Sequence, residues 1–205
     1  MKNYYFTETW FTEDGLSSIT ELDRESELHF LEIGSFEGKS TVWYMDRFLS
    51  HPNSTITCIE PWYNYGEGTD SLNSYGSENS HWKFAETNVK DRFLHNIDQQ
   101  GEKDKAIIYQ GLSDVVLPRL IAQEKKYDLI FVDGNHVAPY VLMDACMSWP
   151  LLKVGGYMVF DDYRWGLEKS VTLRPRRSIE TFVEIFGDYI EDVYTNDRKI
   201  IRRVR

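Results

Sequence analysis

The segment Tyr127–Val132, YDLIFV, holds one charged residue in six and then breaks into Asp133-Gly134-Asn135-His136. A run this short and this apolar reads as a strand buried on both faces, the kind found in parallel sheets covered by helices on either side. Parallel strands need crossover connections, so the flanking sequence has to alternate strand and helix. It does. Leu28–Ile33 (LHFLEI) is strand-like, and Lys39–Leu49 carries Val42, Met45 and Leu49 at helical spacing. Thr55–Ile59 reads as a second strand, and a helix is expected from about His81 to Ile97 through Phe84, Val89 and Phe93. Ala106–Tyr109 is a short strand. Ser113 then opens a helix through Val116, Leu117 and Leu120, as its N-cap with Asp114 behind it. After Tyr127–Val132 come a helix over Pro139–Trp149, the pair Gly155-Gly156, a strand over Tyr157–Phe160 and a helix from Arg177 to about Phe186. Tyr189–Tyr194 and Lys199–Val204, joined by Thr195-Asn196-Asp197, predict a terminal hairpin. These units imply a doubly wound α/β sheet of seven mostly parallel strands with a C-terminal antiparallel hairpin, in one domain over residues 1–205.

In such sheets ligands bind beyond the carboxyl ends of the strands, so the residues that end each strand carry the functional information. The first strand runs into Glu32-Ile33-Gly34-Ser35-Phe36-Glu37-Gly38-Lys39-Ser40-Thr41. Glycines four apart allow close approach of a ligand, and Gly38 sits where the next helix begins. Neither GxGxxG nor GxxxxGK[ST] is present: Phe36 occupies the place of the second glycine, and three residues separate Gly34 from Gly38. An acid two residues before the first glycine suits a cationic amine, not a pyrophosphate. The second strand ends in Glu60-Pro61-Trp62, with Glu60 placed to accept ribose hydroxyls. The third ends in Gln110-Gly111-Leu112-Ser113, a turn of small residues fit to border a flat base. The fourth and fifth end in Asp133-Gly134-Asn135-His136 and Asp161-Asp162-Tyr163. Three carboxylates gathered at one sheet edge repel unless a cation or shared proton compensates. Oxygen ligands without thiolates favour Mg²⁺, Mn²⁺ or Ca²⁺. The alternative is that these acids cap turns.

Composition narrows the partners. Lys plus Arg total 23 against 33 Asp plus Glu, a net charge of −10, which argues against a phosphate-backbone binder and so against nucleic acid. Cys58 and Cys146 sit in apolar surroundings and read as buried free thiols, too few for a disulfide framework. The N-terminus lacks the apolar core of a signal peptide, and no apolar run reaches the roughly 18–20 residues needed to span a bilayer. A cytoplasmic protein with no membrane association is the expectation.

Taken together, LEIGSFEGKST, CIEPW, YQGLSD, YDLIFVDGNH and WPLLKVGGYMVFDDY resemble the class I S-adenosylmethionine-dependent methyltransferases. The most similar branch is the small metal-dependent O-methyltransferases, including macrolide-sugar O-methyltransferases and, more distantly, catechol O-methyltransferases. The resemblance covers roughly residues 27–62 and 105–205 and implies a Rossmann-like fold. It implies that Glu32, Gly34, Ser35 and Gly38, with Ser40, line the methionine end of S-adenosylmethionine. Glu60 would hold the ribose, with Trp62, Gly111 and Ser113 near adenine. Asp133 would face the cofactor and, with Asp161 and Asp162, ligate a divalent metal, Mg²⁺ by its chemistry. His136 corresponds to a histidine proposed as general base in sugar-modifying members, whereas catechol-type members use a lysine, absent here between Asp133 and Tyr140. The implied reaction is methyl transfer to a hydroxyl of a sugar or other small molecule. Methylation of RNA or protein on the same fold, or cofactor binding without transfer, are the rival readings. Strand four lacks the Asn/Asp-Pro-Pro-aromatic signature of amino-group DNA methylation.

Two segments stand outside this pattern. Residues 63–80, rich in Tyr, Ser, Gly and Asn, read as a lid-like insertion or substrate wall, with Trp82 just beyond, or else as a surface loop. Residues 1–26 carry Tyr4, Tyr5, Phe6, Trp10 and Phe11 and are too aromatic for a free tail. They pack over the sheet, add to the substrate pocket, or form a subunit contact in a homo-oligomer. The basic clusters Arg174–Arg177 and Arg198–Arg205 read as a solvated helix start and a charge-protected edge strand, the alternative being a phosphate site.

Overall fold

The computed structural model describes residues 2–62 and 88–205. The lid-like insertion 63–80, Trp82 and residues 81–87 of the helix expected from His81 lie outside the described residues, and the described helix begins only at Val89, after Asn88 at φ 125°. Seven strands form one sheet in the order β3-β2-β1-β4-β5-β7-β6. The strands are β1 (His29–Ile33), β2 (Thr55–Glu60), β3 (Ala106–Gln110), β4 (Tyr127–Val132), β5 (Leu152–Phe160), β6 (Ile190–Thr195) and β7 (Lys199–Arg203). The first five pair in parallel, and β7 lies antiparallel to both β5 and β6. Among the described residues five α-helices connect them: α1 (Lys39–Phe48), α2 (Val89–Gln100), α3 (Ser113–Ala122), α4 (Ala138–Ser148) and α5 (Arg176–Ile185). This is the Rossmann-like doubly wound architecture with a C-terminal antiparallel hairpin.

Alternate residues of the central strands face two separate apolar layers. Leu31, Ile33, Ile130, Val132 and Met158 pack with Leu117, Val141 and Phe182 of α3, α4 and α5. Phe30, Leu129, Phe131 and Val159 pack with Tyr44, Met45, Phe93 and Ile97 of α1 and α2. Covering both faces is what a strand like YDLIFV requires. Burying each large apolar side chain contributes roughly 1.5–3 kcal/mol. Among the described residues no helix is long and apolar enough to cross a membrane.

Several local expectations differ. The strand β7 is not an edge: it lies between β5 and β6, so Arg198 and Lys199 at its start are buried and ion-paired to Asp161 and Asp192 instead of solvated. Ser113 is the first helical residue of α3, and the cap is the extended Leu112, which offers no side-chain acceptor. The strand β5 begins at Leu152, five residues before Tyr157, because Gly155 adopts φ +85° and the chain carries the pair Gly155-Gly156 through an irregular start of pairing with β4. Cys58 is buried, whereas Cys146 on α4 is exposed because it faces away from the sheet.

The N-terminal segment packs over the sheet edge as a strap. Asn96 of α2 is fully buried; its amide accepts from Tyr5 N at 2.7 Å and donates to Tyr5 O and Glu37 O, both at 2.9 Å. Thr7 donates its backbone N–H and hydroxyl to Glu37 at 2.7 and 2.6 Å, and Arg92 pairs with the same carboxylate. Further along, Tyr194 donates to Asp14 at 2.7 Å, and Arg198 holds the carbonyls of Thr12 and Asp14.

Candidate active site

Backbone hydrogen bonds continue past the strand ends and align five of them along one rim. Gly111 N donates to Glu60 O, Gly34 N to Ile59 O, Asp133 N to Ile33 O, and Asp161 N to Val132 O, at 2.8–3.2 Å. The rim therefore carries, in order, Gly111, Glu60, Gly34, Asp133 and Asp161. It is the crevice side on which doubly wound sheets bind ligands.

At its centre the turn from β1 to α1 lies against the end of β4. Gly34 has φ +89°, and a Cβ added there would fall 1.9 Å from Asp133 O. Gly38 has φ +80°, and a Cβ there would fall 2.8 Å from the Phe93 ring. Both glycines are demanded by the backbone and by contact. Ser35 Oγ is buried beside the Glu32 carboxylate and the Cys58 thiol, without a well-formed hydrogen bond to either. Phe36 N and Trp62 N donate to the two oxygens of Glu60 at 3.0 and 3.2 Å, and the Trp62 indole donates to Phe36 O at 2.9 Å. The Trp62 ring rests on Phe93, with centroids 5.0 Å apart. Glu60 is thus fixed at the tip of β2.

Glu32 lies below the rim. It is fully buried, and its carboxylate accepts from Ser40 Oγ at 2.5 Å and from Thr41 Oγ1. Burial pushes its pKa up against the pull of those hydroxyls. The side chains of Glu32 and Ser40, expected at a ligand's amine, are turned on each other and brace the first turn of α1. Ser113, expected beside a flat base, lies close enough to the Asp144 carboxyl of α4 to influence its titration, while Asp144 Oδ1 is buried without a hydrogen-bond partner. Asp144 is 1% exposed, and burial raises its pKa to about 7. Asp144 was not singled out by its sequence neighbourhood. The available signal is its spacing: it sits on the buried stripe of α4 with Val141, Ala145 and Ser148.

The acidic edge resolves into two parts. Ligand atoms of Asp133, His136 and Asp162 lie within 4.8 Å of one another, and His136 Nε2 is 2.7 Å from Asp162 Oδ2. Asp162 reaches that position because its backbone is left-handed at φ 58°. Asp161 instead faces Arg198, which is 1% exposed and 3.0 Å away. A carboxylate has about four lone-pair sites, so this pairing leaves Asp161 acceptor capacity toward the rim. Burial raises the pKa of Asp133 well above the usual carboxylate range, reinforced by the charges of Asp161 and Asp162 and opposed by Arg198. Burial likewise raises Asp161 against the effect of Arg198. Carboxylates clustered and desolvated in this way could hold a hard divalent cation, whose charge would relieve their repulsion. Trp165, also unforeseen, packs on the His136 ring at 4.6 Å between centroids.

Comparison with known proteins agrees with this geometry. A family described as "Methyltransferase domain" matches residues 31–163, which span β1 to the start of the loop after β5. An O-methyltransferase from Bacillus cereus, solved in complex with SAH, superimposes with TM-score 0.64 at 16% identity, covering 97% of this chain and 84% of that one. The O-methyltransferase TomG from Streptomyces achromogenes, involved in tomaymycin synthesis and solved with SAM, gives TM-score 0.63 at 16% identity over 93% of this chain and 77% of that one. At such identities the likeness is one of fold. The uncharacterized protein R132 of Acanthamoeba polyphaga mimivirus is 28% identical over 153 residues, 73% of this chain. The chain spans 59% of the length of that curated relative. With the family match running through every strand end that builds the rim, this chain belongs to the methyltransferase-domain family.

Proposed function

We propose that the protein transfers a methyl group from S-adenosylmethionine to a hydroxyl of a small molecule, using a divalent cation of the Mg²⁺ class at the acidic edge. The observation that carries this reading is the contact between the two halves of the rim: the Gly34 turn and Asp133 touch, so a nucleoside-type site and the Asp133–His136–Asp162 group share one crevice. In this reading Gly34, Ser35 and Gly38 border the methionine end, with Glu32 and Ser40 bracing the turn beneath. Glu60 receives the ribose hydroxyls, and Trp62, Gly111 and Ser113 border the adenine.

Asp133, Asp161 and Asp162 would hold the cation. Such a cation, when bound, lowers the pKa of a coordinated hydroxyl and fixes its direction. Methyl transfer from a sulfonium is an in-line displacement, so the chain's main contribution is to hold oxygen and methyl carbon in register. His136 accepts the hydroxyl proton. Its Nε2 is committed to Asp162, which leaves Nδ1 as the acceptor and lets Asp162 orient the ring. The acceptor is a hydroxylated small molecule, with a sugar favoured by the histidine-type rim.

Calorimetric titration with S-adenosylhomocysteine tests the cofactor half. The wild type is expected to bind in the micromolar range, with Glu60→Ala weaker by about tenfold or more. A folded wild-type protein that binds no S-adenosylhomocysteine would overturn the reading.

A further inference from the structure

We infer that the acceptor carries a phosphoryl group, held by the loop between β5 and α5. The inference rests on the methyl-transfer reading of the rim and extends it to the substrate. Residues 164–177, the loop after Asp161-Asp162 and the first turn of α5, hold Arg164, Lys169, Arg174, Arg176 and Arg177 against the single acid Glu168, a local charge of +4, or +2 with Asp161 and Asp162 counted, in a chain whose net charge is −10. Such a reversal is a property of place, not of composition.

The place is the rim itself. Trp165 contacts the His136 ring at 4.6 Å, and Lys169 Nζ lies 3.7 Å from the Trp165 ring centroid. A Cβ added at Gly166 would lie 3.1 Å from Lys169 Cδ and 3.7 Å from Arg174 Cβ, so both stems close on the residue after Trp165. Arg174 donates to Leu167 O at 2.5 Å, while its Nε is buried without a partner. Arg176 covers the Tyr163 ring at 5.1 Å and pairs with Glu180 at 2.8 Å. Arg164 and Arg177 are exposed, and among the described residues neither forms an ion pair. Arg177, in the first turn of α5, opposes the helix dipole, so the dipole does not account for it.

The chemistry of these donors sets the ligand class. Several cations spread over one loop, most of them guanidinium forks, match a group with many oxygens and more than one negative charge. A single carboxylate would be satisfied by one fork. Trp165, covered by Lys169 and packed on His136, ties the basic loop to the histidine side of the rim. An acceptor with a hydroxyl at His136 and a phosphate or pyrophosphate over Lys169 and Arg174 meets both halves. The basic loop also offsets the repulsion such a substrate would meet from Asp133, Asp161 and Asp162.

Calorimetry with inorganic pyrophosphate, in low salt and EDTA, tests this without cofactor, cation or turnover. The wild type is expected to bind, with affinity falling as salt rises. Lys169→Gln with Arg174→Gln should weaken binding about tenfold or more while leaving S-adenosylhomocysteine affinity and the circular dichroism spectrum unchanged. No pyrophosphate binding by the wild type, equal binding by the variant, or preferential binding of malonate would each overturn the phosphoryl assignment. The S-adenosylhomocysteine titration is read separately, so loss of the cofactor reading and loss of this one are distinguishable.

Discussion

The Arg198 guanidinium lies 3.0 Å from the Asp161 carboxylate, joining the turn before β7 to the end of β5. The same side chain holds Thr12 O at 2.6 Å and Asp14 O at 3.2 Å and lies over the Phe11 and Phe131 rings. One buried cation thus ties the N-terminal strap to the acidic edge. Removing one partner of a buried pair leaves an uncompensated charge at a cost of roughly 3–5 kcal/mol. Arg198→Met should therefore lower unfolding free energy in urea by about that amount and expose residues 10–14 to chymotrypsin. Arg198→Met combined with Asp161→Leu should recover most of the loss. A single variant as stable as wild type would mean that the pair is solvated.

His136 and Asp162 separate into different readouts. His136→Ala should lower methyl transfer by roughly 10²–10⁴-fold with S-adenosylhomocysteine affinity unchanged, as for loss of a general base. Asp162→Asn should remove Mn²⁺ binding, followed by paramagnetic resonance, together with turnover. Unaltered Mn²⁺ affinity in Asp162→Asn would count against this carboxylate as a ligand.

Asp144 predicts a pH dependence of stability. Its folded pKa is raised to about 7, while the unfolded chain titrates near 4. Between those values the native state keeps a proton that the unfolded state has lost, so stability falls as pH rises. The penalty is absent below about pH 4 and complete above about pH 7, at roughly 4 kcal/mol for a shift of about 3 units. Thermal melts of wild type and Asp144→Asn should accordingly diverge from pH 4 to pH 8, with the variant gaining. A constant difference across that range would show that Asp144 does not titrate there.

Gly34→Ala should be among the most damaging small substitutions. The added Cβ meets Asp133 O at 1.9 Å in a backbone with φ +89°. Left-handed strain and overpacking each cost about 1–3 kcal/mol. Loss of roughly 3 kcal/mol of stability, with S-adenosylhomocysteine binding lost as the turn shifts, is the expected result. Gly101→Ala, at φ +93° but with open space around its Cβ, isolates the backbone contribution.

The order of elements was legible because it is written locally. The run YDLIFV can be satisfied only by a strand covered on both faces, and it occupies Tyr127–Val132. The alternation around it predicts parallel strands with their ends on one rim, which is why Glu60, Asp133 and Asp161 could be picked out from position. Most helix boundaries moved by a residue or two, as at Ser113, because capping depends on one local dihedral, here that of Leu112; α2 instead begins at Val89, because Asn88 at φ 125° breaks the helix expected from His81.

What only the tertiary structure decided concerns partners distant in sequence. Nothing near Arg198 marks it as buried; that follows from β7 inserting between β5 and β6, which turns a charged hairpin into an interior strand. Asp161 meets Arg198 while Asp162 meets His136, a division that neighbouring residues in a sequence cannot reveal. Ser113 faces Asp144, and Trp165 bridges His136 to Lys169, through contacts between separate elements. Periodicity records which face of an element is apolar, because that is set residue by residue along the backbone. Which charges meet is set by how the elements close on one another, and that depends on every strand at once.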